Sequence, residues 1–187
     1  QRRYTGRYLS KKGNFMLKIL IAVDGSALSL DAVHHAVQLA QHGLNASVVL
    51  ANVQEPASLY ELVVSRDPQL IAQASEAAGE FLMAPARALL DEAGIPYEVA
   101  VGVGDPAHTL VDMISSLACD LAILGARGQG AISSALLGSV SQAVAHASLV
   151  PVTIVRHASE QTQAEEAQQV MESDSGADDM LENFRGA

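Results

Sequence analysis

Apolar runs alternate with amphipathic stretches along the chain. Leu17–Val23 (LKILIAV) is almost wholly apolar, the pattern of a strand covered on both faces. Asp24-Gly25-Ser26 breaks it, and Ser26 suits the N-cap of a helix running to about His42. That helix sets Leu30, Val33, Val37 and Ala40 on one stripe, and Gly43 ends it. Ala46–Val53 predicts a second strand. Residues 54–68, with Pro56 and Pro68 near the ends, read as irregular. A long helical pattern follows from about Gln69 to Ala93 and stops at Gly94; Pro85 inside it predicts a kink or break near residues 81–85. Tyr97–Val101 predicts the third strand and Gly102–Pro106 a turn, with Pro106 at the first helical position after Asp105. The next helix, to about Ala118, turns Leu110, Val111, Ile114 and Leu117 inward. Leu121–Leu124 predicts the fourth strand, Ser139–Ala147 a helix, and Pro151–Val155 the last strand.

Five short apolar strands separated by helices predict the α/β class: one open, parallel sheet with helices on both faces. Such sheets bind ligands beyond the carboxyl ends of the strands, where the strand order reverses. Asp24 follows the first strand and Gly125 the fourth, so both fall at carboxyl ends.

Composition narrows the classes. The chain has 187 residues, enough for one domain core, and its single cysteine, Cys119, excludes an internal disulfide and a thiolate zinc site. No run approaches the length of a membrane-spanning helix. The formal net charge of −10 argues against a nucleic-acid binder. A soluble, cytoplasmic domain is expected, with no nucleic-acid or membrane partner.

The charge is uneven. Residues 1–15 carry five basic and no acidic residues; residues 16–155 carry four basic and thirteen acidic; residues 156–187 carry two basic and eight acidic. The chain thus divides into a basic arm or leader (1–15), a domain (16–155) and an acidic tail (156–187). The arm lacks the apolar stretch of a secretory signal, and Met16 stands directly before the first strand. The tail has few large apolar residues to offset its ordering entropy and is expected to be disordered.

Residues 125–141 read GARGQGAISSALLGSVS. Gly125, Gly128 and Gly130 allow close backbone approach to a ligand, and Gly138-Ser139 opens a helix whose free N–H groups favour an anion. Ser139 and Ser141 add hydroxyls. This suits a polyphosphate, yet it is neither a Walker A loop, lacking the Lys-Ser/Thr, nor a dinucleotide GxGxxG. No lysine follows Lys18, so charge compensation falls to backbone amides, Arg127 and a divalent cation. A plain surface loop fits the spacing equally well.

Gly125-x₂-Gly128-x₉-Gly138-Ser139, continued by Val140-Ser141 and Pro151-Val152, resembles the nucleotide motif of the universal stress protein family's ATP-binding branch. Ile21-Ala22-Val23-Asp24-Gly25-Ser26 is similar to the family's first strand and turn, and Gly102–Pro106 and Asp120 fit as well. The resemblance covers about residues 16–155. It implies a Rossmann-like fold of the adenine-nucleotide alpha hydrolase type, with ATP and Mg2+ or Mn2+ at the carboxyl edge. It implies that Ala22 and Asp24 flank the nucleoside, Asp24 near ribose or the metal–phosphate region, and that Val53 holds adenine through its backbone. Gly125, Ala126, Arg127, Gly128, Gln129, Gly130 and Ala131 would wrap ribose and phosphates; Gly138, Ser139, Val140 and Ser141 would cap the phosphates. It further implies a homodimer through the last strand (152–155). Asn52 departs from the family, where histidine is frequent.

Other candidates carry less. Asp24 also reads as a turn residue capping the following helix. Ser133 and Ser134 read as solvated loop serines, Tyr60 as loop packing, and Cys119 as a small core residue. The histidines at 34, 35, 42, 108, 146 and 157 show no metal-ligand spacing. No general base stands beside the phosphate loop, so no catalytic residue is assigned. The leading expectation is a nucleotide-dependent regulatory protein with an unidentified protein partner and at most slow ATP hydrolysis. The alternatives are a nucleotide-independent, partner-binding stress protein and an ATP-using transferase or pyrophosphatase; the SGGxDS and HIGH signatures of the latter are absent.

Overall fold

The apolar runs form five strands: β1 (Leu17–Ala22), β2 (Ala46–Gln54), β3 (Tyr97–Val103), β4 (Leu121–Gly125) and β5 (Val152–Val155). Four helices alternate with them: α1 (Ala27–Gln41), α2 (Pro68–Ala93), α3 (Pro106–Ser116) and α4 (Ser139–Ala147). The computed structural model describes residues 16–56, 67–126 and 137–156. Every strand pairing is parallel, and the sheet order is β3-β2-β1-β4-β5. The order reverses between β1 and β4, which makes their carboxyl ends the switch point.

Strand alternation builds two core layers. Ile19, Ile21, Val48, Leu50 and Ile123 face α1 and α2, packing with Val33, Met83, Ala86 and Leu90. Leu20, Val49, Ala51, Ala122 and Leu124 face α3 and α4, packing with Leu110, Ile114 and Val144. Both faces of β1 and β2 are buried, which explains why those strands read as continuous apolar runs.

The expected caps are in place. The Ser26 hydroxyl accepts from the amide of Ser29 at 3.1 Å, and the Asp105 carboxylate accepts from that of His108 at 2.9 Å, with Pro106 at the first helical position. Gly43 and Gly94, at φ of 99° and 66°, end α1 and α2.

Several details differ from the sequence reading. The most buried line of α1 is Ser29, Ala32, Val33 and Ala36, with Leu30, Val37 and Ala40 only partly buried beside it; small side chains let this helix sit close to the sheet. β3 extends to Val103, because Gln54 of β2 continues the ladder opposite it. Of the kink or break expected near residues 81–85, the break does not occur, for α2 runs unbroken from Pro68 to Ala93. Pro85 and Phe81 both lie on the solvent side, so water can serve the carbonyl that loses its helical donor.

α3 also stops two residues early, at Ser116. Ala118 adopts φ 51°, and the amide of Cys119 returns to the carbonyl of Ile114 at 3.0 Å. This left-handed closure turns the chain directly into β4.

Candidate functional site

The carboxyl ends of β1, β2 and β4 open onto a cavity of about 660 Å³, within the range of small-ligand sites. Its wall includes Ala22, Asp24, Asn52, Val53, Gln54, Glu55, Gly125, Gly138, Ser139, Val140 and Ser141, with Ser29 and Leu82 on one side of the sheet and Pro106 and Leu110 on the other.

The β1 side is a turn held by short polar contacts. Asp24 Oδ1 accepts from the Ser26 amide at 3.0 Å and from the Ser26 hydroxyl at 2.6 Å. Ser29 Oγ donates to the Ser26 carbonyl at 2.8 Å. Gly25 supplies φ 83° between them, a conformation that side chains resist. Asp24 therefore performs the turn role that was its alternative reading, and it also lines the cavity.

Val53 sits on β2 just past the end of β1. The amide of Val23 donates to the Ala51 carbonyl at 2.8 Å, so Ala51 faces β1. By strand alternation the backbone N–H and C=O of Val53 face the same side, beyond the last β1–β2 pair, Ala22–Ala51. Gln54 faces the other way, accepting from the Gly104 amide at 3.0 Å.

The β4 side is clamped at Ala126. Its amide donates to the Val155 carbonyl at 2.6 Å, and its carbonyl accepts from the Gly138 amide at 2.8 Å. These bonds fix the start of α4 against the ends of β4 and β5. Gly138 is the N-cap of α4 and provides no side-chain cap, which leaves the first-turn amides for another acceptor. Ser139 is exposed beside them. The buried Ser141 hydroxyl does not turn to a ligand; it donates to the Gly125 carbonyl at 2.7 Å.

Of the residues singled out from sequence, Ala22, Asp24, Val53, Gly125, Gly138, Ser139, Val140 and Ser141 come together on this wall, and Ala126 braces it. Arg127, Gly128, Gln129, Gly130 and Ala131 lie outside the described residues, as do Ser133, Ser134 and Tyr60. Sequence reasoning did not single out Gln54, Glu55, Ser29 or Leu82; the only signal was their place at strand ends or the helix faces above them. Asp120 lies at the opposite, amino edge, where its carboxylate accepts from the Lys18 amide at 3.0 Å and braces β1 against β4.

The described wall carries the carboxylates of Asp24 and Glu55 and no lysine, arginine or histidine. Among the described residues, no group of three or more His, Cys, Asp or Glu is placed to hold a metal ion. No described helix is long and apolar enough to cross a membrane. Cys119 is buried beside the amino edge, and desolvation pushes its thiol up from the ordinary value.

The sheet order and the cavity at its switch point define an open Rossmann-like α/β domain. The chain belongs to the universal stress protein family, whose model matches residues 16–156. Universal stress protein YxiE of Bacillus subtilis is 31% identical over 146 residues, covering 74% of this chain and 98% of its own length. A universal stress protein of Thermus aquaticus is 36% identical over 140 residues, covering 74% and 97%. Among solved structures, a universal stress protein in complex with cAMP aligns with a TM-score of 0.51 at 29% identity, over 74% of this chain and 95% of that one. UspA from Lactobacillus plantarum shares the fold, with a TM-score of 0.61 at 23% identity, over 75% and 97%.

Proposed function

We propose that this protein binds ATP in the cavity at the carboxyl edge and acts as a nucleotide-dependent regulatory factor in the cytoplasm. The observation that carries the reading is the uncapped start of α4 clamped against the end of β4. Its first-turn amides, which have no side-chain cap from Gly138, suit an anion, and they share one cavity with Val53. Nucleotide binding by a relative in complex with cAMP supports the same use of the fold.

In this reading the Val53 N–H and C=O hold the base, and Ala22, Asp24 and Gly125 flank the ribose. The amides of Ser139, Val140 and Ser141, with the Ser139 hydroxyl, meet the phosphates. Ala126, Arg127, Gly128, Gln129, Gly130 and Ala131 complete the phosphate loop. The described wall is acidic, so a tetra-anion needs added positive charge, which Mg2+ or Mn2+ supplies when bound with the phosphates. Asp24, at the end of β1 on the cavity wall, is the protein ligand we assign to it. The protein's own part is to orient the nucleotide. No side chain is assigned as a general base, and hydrolysis is at most slow. Among the described strands β5 stands at the sheet edge, and we read the protein as a homodimer through residues 152–155, with occupancy sensed by a partner protein.

Substituting Gly128→Val tests the site. A folded variant that no longer binds ATP supports the reading; a folded variant with unchanged affinity removes the loop from the site. Parallel titration with AMP and cAMP separates a triphosphate site from one made for a monophosphate.

A further inference from the structure

Asn52 and Gln54 lie on one face of β2, and their side chains form a relay anchored by the backbone. The Val23 carbonyl can only accept, so Asn52 turns Nδ2 toward it, at 2.7 Å. Asn52 Oδ1 is then the acceptor for the next contact, and Gln54 Nε2 donates to it at 2.5 Å. The direction of both amides thus follows from one backbone carbonyl. Asn52 is buried, 3% exposed. It lies beneath Gly79 of α2, where an added Cβ would stand 3.0 Å from its Oδ1. Flipping either amide would set oxygen against oxygen or N–H against N–H, a costly exchange for buried groups.

Gln54 ends this relay on the cavity wall, next to Val53. With one N–H held by Asn52, its amide keeps an oxygen acceptor and a second N–H donor. Adenine offers the matching pair, an exocyclic amino donor beside a ring-nitrogen acceptor, which is why glutamine and asparagine pair with adenine in two-point contacts. A 6-oxopurine puts an oxygen where the amino group would be, facing Gln54 Oε1 acceptor to acceptor. Gln54 cannot turn over to suit it without losing Asn52.

We propose that Gln54, oriented by Asn52, reads the six-amino group of the base and makes the cavity selective for adenine over 6-oxopurines. The proposal rests on the nucleotide reading above and adds to it a side chain that shares base choice with the Val53 backbone. Asn52 is a positioning residue: it acts through Gln54.

The test is titration of the full chain with ATP and with inosine triphosphate, which share the ribose and triphosphate and differ at the six position. Wild type is expected to bind ATP at least about tenfold more tightly. Gln54→Met is expected to narrow the ratio by at least about threefold, chiefly by weakening ATP, with inosine triphosphate affinity held within about threefold; the preference that remains is what the Val53 backbone reads. Asn52→Leu should lower the ratio in the same way. A thermal unfolding midpoint for each variant shows that it is folded, and Gln54→Met decides alone if Asn52→Leu does not fold. Equal affinity of wild type for both nucleotides, or an undiminished preference in folded Gln54→Met, overturns the proposal and leaves nucleotide binding standing. Binding of neither nucleotide by folded wild type overturns both.

Discussion

Ser141 shows how one side chain can brace the site without touching a ligand. Its buried hydroxyl donates to the carbonyl at the end of β4, so Ser141→Ala leaves that carbonyl without its partner. Denaturant unfolding should show a loss of about 1–3 kcal/mol with an unchanged m-value. From sequence, Ser141 reads as a phosphate hydroxyl, because the contact that occupies it spans sixteen residues and appears only in the fold. Asp105 makes a second prediction. The His108 amide hydrogen-bonded to it holds its carboxyl below the ordinary value of 3.8. The unfolded chain therefore takes up this proton at higher pH than the folded one. The contribution is present above about pH 3.8 and is lost as pH falls through the lower folded value. Asp105→Asn, a cap that does not titrate, should flatten that part of the acid-unfolding profile. At Cys119, burial raises the thiol and blocks access. Alkylation at neutral pH should be slow in the native protein and fast after unfolding.

At the scale of elements, α2 sets two local preferences against each other. Pro85 occupies an exposed position in its interior, where it removes a helical hydrogen bond. Pro85→Ala should stabilise the protein by about 1–2 kcal/mol, the helix gain being partly offset by a freer unfolded chain. Gly79 gives the opposite result. An added Cβ would lie 2.8 Å from both methyl groups of Val101 and 3.0 Å from Asn52 Oδ1. A β-branched strand residue has little room to yield, so Gly79→Ala should cost about 1 kcal/mol or more despite the better helix propensity; thermal unfolding measures both changes. The pattern of α2 is legible in sequence through its apolar period and its Gly94 stop. The continuity through Pro85 is not, because it depends on which side of the helix meets water. Strand ends are likewise set by neighbours: β3 reaches Val103 only because Gln54 stands opposite. The same limit hides the relay. Asn52 reaches Val23 across 29 positions, and only the register of β1 on β2 brings them together. The positions of Asp24 and Gly138-Ser139, by contrast, are legible because a strand end and a helix start are local signals, and an open parallel sheet gathers them at one edge; Ala22 and Val53 follow only from the family resemblance.

For the whole molecule, one sheet order accounts for both the site and the expected assembly. The reversal between β1 and β4 opens the cavity, and α4 is held there by the Ala126 clamp between β4 and β5. Among the described strands β5 then lies at the edge of the sheet. The central claim is that the cavity holds a nucleotide whose phosphates meet the start of α4. The most direct measurement is calorimetric titration of nucleotide-stripped protein with ATP, with and without magnesium. Saturable micromolar binding that tightens with magnesium is the predicted result. No heat of binding at high concentration of folded protein, in either condition, would contradict it and leave the glycine–serine segment a purely structural connection.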